Sequence, residues 1–455
     1  MPGMSAVASP PSEGLALAPF RGVRFDPARV SDLAAVTSPP YDVIEPYAVR
    51  RLETLDPHNI VRLILPREDA GGPDGRYRHA ADLLDQWLAA GVLRRDPVPA
   101  LYVYEQVTPT TVQRGLVGVL ALREPEAGVV LPHEDVMPGP VSDRLALMRA
   151  TQANLDPILL VYEGGGAASE IVEDTCSARP VLAARTPAGI SHRLWTITDP
   201  RLHAAIGTDL VSRRAMIADG HHRYAAYRRL QAEHRATGPR NGPWDAGLAM
   251  LVDSLRHPLE VRAIHRVLPK LRADEALAAL RGHAQVSEVS GGRRGERDAS
   301  AVAHGLGTLD AGVSSDQRIT AVLDERHAGR VDGEFLLIAD GREWIIGDLD
   351  PSLVAQSMPE DRPPAWRQLD AAILHHVLVD RIWHQPDDPE HVTYHHDATE
   401  AVRAAEQTGG LAVILRPPAV ETVLELAAAG QRMPRKSTSF GPKPRTGILL
   451  RTFAR

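Results

Sequence analysis

The chain has 455 residues, 44% of them apolar, enough to build two or three domains with their own cores. Its formal charge of −7 is mildly acidic, which argues against a protein whose main partner is duplex DNA, and no apolar run is long enough to cross a membrane. One cysteine, Cys176, excludes an internal disulfide and any multi-cysteine metal site. That usage fits a reducing compartment such as the cytoplasm. Cys176 lies beside Glu173 and Asp174, which oppose a thiolate, so a nucleophilic role is disfavoured.

Residues 1–19 are rich in Pro, Ser, Ala and Gly and are expected to form a disordered tail rather than a signal peptide. Phe20–Phe25 and Ala34–Thr37 read as short strands, and Pro39-Pro40-Tyr41-Asp42 as a rigid, extended loop. Tyr77–Leu93 has helical apolar spacing. Ala100–Val107 and Gly115–Leu122 read as paired strands, the first half-buried with Tyr102 and Tyr104 on one face. A helix over Asp143–Asn154 and a strand over Pro157–Tyr162 follow. Ala215–Ala218 is a short strand, Tyr224–Glu233 a helix, and Asp245–Val252 and Glu260–Leu268 two more strands. Gly282–Gly312 is polar and Gly/Arg-rich, an expected insertion or seam.

Beyond it come a hairpin through Asp340-Gly341-Arg342, a helix over Ala372–Val379, a strand over Leu411–Leu415 and a helix over Ala419–Ala429. Strands and helices interleave without βαβ regularity, which predicts a mixed α/β (α+β) fold. The expected division is a tail (1–19), a core (20–275), a seam (276–320) and a C-terminal α/β domain (321–455).

Four segments concentrate polar chemistry. Ala218–Arg223 reads Ala-Asp-Gly-His-His-Arg between a strand and a helix. Asp219 can cap that helix, Gly220 permits a tight turn and close ligand approach, and the first amides form an anion site. His221, His222 and Arg223 add donors, with Arg223 a bidentate phosphate clamp. An inert capped helix with exposed histidines is the plainer alternative. A metal site is the other alternative, although neighbouring helical residues point about 100° apart and make poor co-ligands.

Leu131–Met137 delivers His133, Glu134 and Asp135 in succession, suited to proton abstraction or Mg²⁺ binding, or else to a solvated acidic loop. Gln431–Thr446 carries Arg432, Arg435, Lys436, Lys443 and Arg445 and no acid; Lys436, Ser437 and Thr438 offer phosphate chemistry without Walker-type glycine spacing. A solvated basic tail is the alternative there. Tyr41 and Asp42 could edge a pocket or simply form a structural turn.

Taken together, Pro40–Ile44, Pro132-His133-Glu134, Asp143-Arg144-Leu145, Ala218–Arg223, Met433-Pro434 and Lys436-Ser437-Thr438 resemble a large prokaryotic family, domain of unknown function 1015. The Asp219–Arg223 turn is also similar to the phosphate-binding turn of the ParB/sulfiredoxin-like fold, closest to its free-serine kinases. That resemblance implies phosphoryl transfer from ATP or ADP to a small hydroxyl compound such as free serine. It implies Glu134 as base and His221 or His222 neutralising charge. Asp219, Gly220, Arg223, Lys436, Ser437, Thr438 and Lys443 would bind phosphate or nucleotide. Tyr41, Asp42, His133 and Arg144 would line the substrate pocket, with Asp135 toward Mg²⁺. The turn has His221 or His222 where sulfiredoxins carry a cysteine, which disfavours sulfinic-acid reduction. No basic helical pair of the ParB kind is seen. A phosphatase acting on a phosphoserine-like monoester and a non-catalytic nucleotide-binding regulatory protein are the rival readings. The expected partner in each case is a small phosphorylated ligand.

Overall fold

A computed structural model of the chain describes residues 14–453 except 31, 45, 68–73, 239–240 and 289–332. The chain forms a mixed α+β fold that divides into two units. The first runs to Glu260 and resumes from Phe440 onward; the second spans Val261–Ser439. The division falls at 260/261, earlier than the expected 275/276. The C-terminal stretch from Phe440 joins the first unit instead of closing a C-terminal domain. Most of the expected insertion lies outside the described residues.

The first unit is built on a nine-stranded sheet. In chain order its strands are β1 (Leu17–Ala18), β2 (Leu101–Val107), β3 (Val112–Ala121), β4 (Val130–Pro132), β5 (Ile158–Tyr162), β6 (Leu182–Arg185), β7 (Ser191–Ile197), β8 (Ala215–Asp219) and β9 (Ala246–Asp253). Across the sheet they run β4-β8-β5-β9-β3-β2-β7-β6, with β1 paired to β3. β8 is parallel to β4 and antiparallel to β5, with a register shift between Ile217 and Asp219. That shift sits where the Asp-Gly-His-His-Arg turn begins, and such irregularities re-aim side chains at a strand end.

One buried cluster joins Leu101, Val103, Leu116, Ile158, Leu160, Ile217 and Leu251 of the sheet to several helices, two of which frame the site. These are α1 (Pro138–Thr151), contributing Val141, Leu145 and Met148, and α2 (His221–Thr237), contributing Tyr224, Tyr227 and Leu230. Each such side chain, fully buried, contributes roughly 1.5–3 kcal/mol. Gly247 admits the helix, since a Cβ there would lie 2.2 Å from the Tyr227 ring. The α2 axis is therefore fixed by aromatic packing, and so is the direction in which its first turn points.

Several local expectations are corrected. Leu17 and Ala18 pair with Leu120 and Val119, so the tail ends before them. Leu33–Val36 is a helical turn instead of a strand, because Asp32 accepts a hydrogen bond from the Ala34 N–H at 2.8 Å and caps it. Tyr41–Val43 is a 3₁₀ turn, closed by the Val43 N–H on Pro40 O at 3.2 Å, and not an extended loop. β2 is buried on both faces, because β3 and β7 flank it and both of its surfaces are covered. Glu260–Leu268 is two strands, broken at Ile264. Ala372–Val379 falls across a short helix, Asp370–Ile373, and a π-helical stretch, Leu374–Ile382.

The second unit has an antiparallel six-stranded sheet in the order Gln285–Glu288, Arg342–Gly347, Phe335–Ala339, Leu411–Ile414, His265–Leu268, Thr393–His395. Helix Ala398–Thr408 covers it through Ala398, Ala401, Val402 and Ala405. Among the described residues, no helix is long and apolar enough to cross a membrane.

Candidate functional site

The site grows from the end of β8. Gly220 stands at the N-cap of α2 with φ +96°, a left-handed backbone that favours glycine, and it has no side chain with which to cap the first turn. A Cβ at this position would lie 2.7 Å from Ile158 Cγ2. Sterics and backbone thus both demand glycine, and the positive end of the α2 dipole opens on a bare backbone.

Asp219 does not cap the helix, contrary to expectation. Its side chain turns to two cations, Arg223 Nη2 and Lys443 Nζ, the latter 2.6 Å from Oδ1. Arg223 also departs from the expected exposed clamp. It is 4% exposed, and its guanidinium is held by Asp156, Asp219 and the Pro157 carbonyl, which accepts from Nη1 at 2.6 Å. The reason is geometric: position i+4 from Asp219 points back along the helix toward the strand end. Burial works against the Arg223 charge, but Asp156 and Asp219 more than offset it and hold its pKa above the ordinary value. Arg223 therefore locks the turn.

Lys443 is the second lock. Its Nζ is also 2.6 Å from Asp42 Oδ2, so one ammonium joins Tyr41–Val43 to β8. Burial opposes its charge, yet Asp219 and then Asp42 raise its pKa above that of a free lysine. The Tyr41 ring is within cation–π distance of two guanidinium groups, its centroid 4.2 Å from Arg144 Cζ and 5.9 Å from Arg223 Cζ. Arg144 is fixed by Asp143, through Nε at 2.8 Å, and by Ile64 O, through Nη1 at 2.8 Å. Tyr41 and Asp42 from one segment and Arg144 from another are thus brought to the turn.

The histidines form a second cluster. His221 Nε2 accepts from the His133 backbone N–H at 3.2 Å, and His222 Nε2 accepts from the Met137 N–H at 3.0 Å. With Nε2 accepting, a neutral His221 carries its proton on Nδ1, which lies 3.8 Å from Glu134 Oε1. The His133 ring is 1% exposed and meets the His221 ring edge-on at 4.5 Å. Its Nδ1–H donates to Ile217 O at 2.7 Å, and burial pushes its pKa down to about 4. A neutral His133 is suited to orienting His221. Phe440 packs on its ring, 5.2 Å away.

Asp135 is exposed, and among the described residues no group of three or more His, Cys, Asp or Glu is placed to hold a metal. A Mg²⁺ ion there would need most of its shell from phosphate oxygens and water. Lys436, Ser437 and Thr438 belong to the second unit; the Ser437 hydroxyl donates to Pro434 O, and Lys436 has φ +55°. Cys176 is half-buried, and burial pushes its thiol up to about 11, against nucleophilic use. Asp156 escaped the sequence reading. A carboxylate just before the apolar β5 was the available signal, but its partner, Arg223, is distant in sequence.

A model of the family described as protein of unknown function (DUF1015) matches residues 17–372. Solved structures give distant likenesses. A free serine kinase in complex with ADP is 13% identical, with TM-score 0.33, over 69% of this chain and 84% of that chain. A conserved hypothetical protein from Pyrococcus furiosus is 14% identical, with TM-score 0.34, over 71% and 91%. SbnI with C-terminal truncation from Staphylococcus aureus is 10% identical, with TM-score 0.32, over 71% and 82%. No curated protein matches the chain.

Proposed function

The chain belongs to the DUF1015 family, and on that footing we propose that it is a nucleotide-dependent phosphotransferase acting on a small hydroxyl compound, with free serine the first acceptor to try. The observation that carries this reading is the start of α2: a left-handed Gly220 with no room for a Cβ, at the positive end of a long helix. That is the chemistry of a phosphate cradle. The nucleotide, ATP or ADP, supplies the phosphoryl group.

The first-turn backbone of α2 holds the phosphate, and Lys443 and Arg223 keep that backbone in place. Glu134 takes the proton of the acceptor hydroxyl as its oxygen bonds to phosphorus and the bridging P–O bond to the nucleotide breaks. His221, oriented by the His133 N–H and facing Glu134, stabilises the charge that develops. Positioning and charge stabilisation are most of what phosphoryl transfer requires. The second reading, a non-catalytic nucleotide-binding regulatory protein, is favoured by one observation: Arg223 and Lys443 are both already matched by carboxylates.

Calorimetric titration with ADP and ATP tests the cradle. Binding should weaken at least tenfold in Gly220→Ala with its circular dichroism unchanged. Nucleotide binding absent in the wild type, or unaltered in a folded Gly220→Ala protein, would rule out the cradle.

A further inference from the structure

Three cross-strand neighbours in the nine-stranded sheet carry polar side chains on one face. His192 on β7 stands opposite Gln106 on β2, and Gln106 stands opposite Gln113 on β3. Partners in register point to the same face, and Tyr104, two residues before Gln106, shares it. None of the four is more than 5% exposed. The Tyr104 hydroxyl donates to Gln106 Oε1 at 3.1 Å, lies 2.8 Å from His192 Nδ1 and accepts the Arg445 backbone N–H at 3.2 Å. With the one hydroxyl proton on Gln106, His192 Nδ1 donates to Tyr104, which leaves Nε2 of the neutral ring as a bare acceptor. Burial, helped by the nearby Arg445 charge, keeps that ring neutral, with its pKa pushed down to about 3. His192 Nε2 has no hydrogen-bond partner in the chain, and neither has Oε1 or Nε2 of Gln113.

These groups select their occupant. An acceptor on His192, and an acceptor and a donor on Gln113, lie in one row two strand spacings wide, roughly 10 Å. Buried polar atoms in folded proteins almost always find a partner, because leaving them unmatched is costly. The nearby Arg445 guanidinium is spent on Thr37 Oγ1 and on the carbonyls of Ala34 and Thr37. An anion would find that cation already engaged, and a cation would be repelled by it. An organic molecule needs an opening, and four side chains so nearly closed to solvent give none. Water both donates and accepts, and in closed polar sites it typically makes about three hydrogen bonds. We infer that this row is an internal hydration site, with ordered water donating to His192 Nε2 and bonded to both ends of the Gln113 amide. The water completes a network that, through Tyr104, holds the backbone of Arg445, two residues after Lys443. It helps to anchor the returning C-terminal segment, and it does not depend on the phosphotransferase reading.

Two measurements on the full chain test this. A high-resolution crystal structure should show solvent density within hydrogen-bond distance, about 3.2 Å, of His192 Nε2 and of the Gln113 amide. Thermal melts of Gln113→Met, a side chain of similar length without the amide, supply a sign. Were Gln113 simply unmatched, Met would remove a buried penalty and raise the Tm. With water bound, Met strips that water of its partners, and the Tm should fall by about 2–4 °C. Density for an organic molecule at the row would overturn the proposal, as would protein groups closing on Gln113 and His192 in the crystal. A Tm unchanged or raised in Gln113→Met would overturn it too.

Discussion

Lys443 Nζ lies 2.6 Å from Asp219 Oδ1, so the returning C-terminal segment is tied by a buried ion pair to the last residue of β8. The same ammonium reaches Asp42. Removing one member of a buried ionic group strands the others without compensation, at a cost of about 3–5 kcal/mol. Lys443→Met is therefore expected to lower unfolding free energy by about that amount and to weaken nucleotide binding with it. Urea denaturation checks the first outcome. A change under 1 kcal/mol would mean that water, and not the protein, holds these charges.

Gly220 carries strain that only glycine escapes. Alanine there meets both the φ of +96° and the Ile158 side chain at 2.7 Å. Gly220→Ala should cost more than the roughly 1 kcal/mol typical of an incompatible backbone position, since a steric clash adds to the dihedral cost. The paired substitution Ile158→Ala should return part of the Gly220→Ala loss relative to Ile158→Ala alone. Strict additivity in a double-mutant cycle would deny the contact.

Two buried rings should make the protein acid-sensitive. His133 has its pKa pushed down to about 4 by burial, and His192 down to about 3 by burial and the nearby Arg445 charge. Both lie below the unfolded value near 6.5, so the unfolded chain binds more protons between that value and the folded pKa. Stability therefore falls as pH drops below about 6.5, and the loss continues to about pH 4 for His133 and about pH 3 for His192. At pH 5 each ring should cost about 2 kcal/mol. Denaturation at pH 7 and pH 5, with His192→Phe as control, measures this; the variant should lose roughly half of that pH dependence.

Arg223→Lys keeps the charge but cannot span Asp156, Asp219 and the Pro157 carbonyl with one planar group. It should cost about 2–3 kcal/mol through the acceptors it leaves unmatched. If Arg223 were an exposed clamp for ligand, the substitution would change binding and leave stability alone. Thermal melts without ligand separate the two cases.

Much of the fold could be read from local pattern. The periodic helices near Tyr77 and Asp143, the apolar strands near Leu101 and Ile158 and the Asp340-Gly341 hairpin all stand where spacing puts them, within a few residues. Short segments were harder. Leu33–Val36 is an apolar run of strand length, and only the Asp32 cap marks it as a helix. β6 and β7 went unread although Gly189, at φ +79°, closes a turn between them. At the site, local chemistry gave the glycine turn and the histidines. It could not show that Asp219 is spent on Arg223 and Lys443 instead of the helix cap. Nor could it show Asp156 as the third carboxylate. Asp219–Arg223 is an i,i+4 pair that local spacing permits, but the Lys443 and Asp156 pairings join segments far apart in sequence, and no local pattern encodes them.

On the proposed function, Glu134 serves phosphoryl transfer beside a cradle that binds nucleotide independently of it. The direct measurement is transfer of labelled phosphate from ATP or ADP to free serine and a panel of small hydroxyl compounds, for wild type and Glu134→Gln. The wild type should transfer phosphate to at least one acceptor. In Glu134→Gln, transfer should fall at least a hundredfold with nucleotide affinity kept within about threefold. Nucleotide binding with no transfer across the panel, or full transfer by Glu134→Gln, would contradict it.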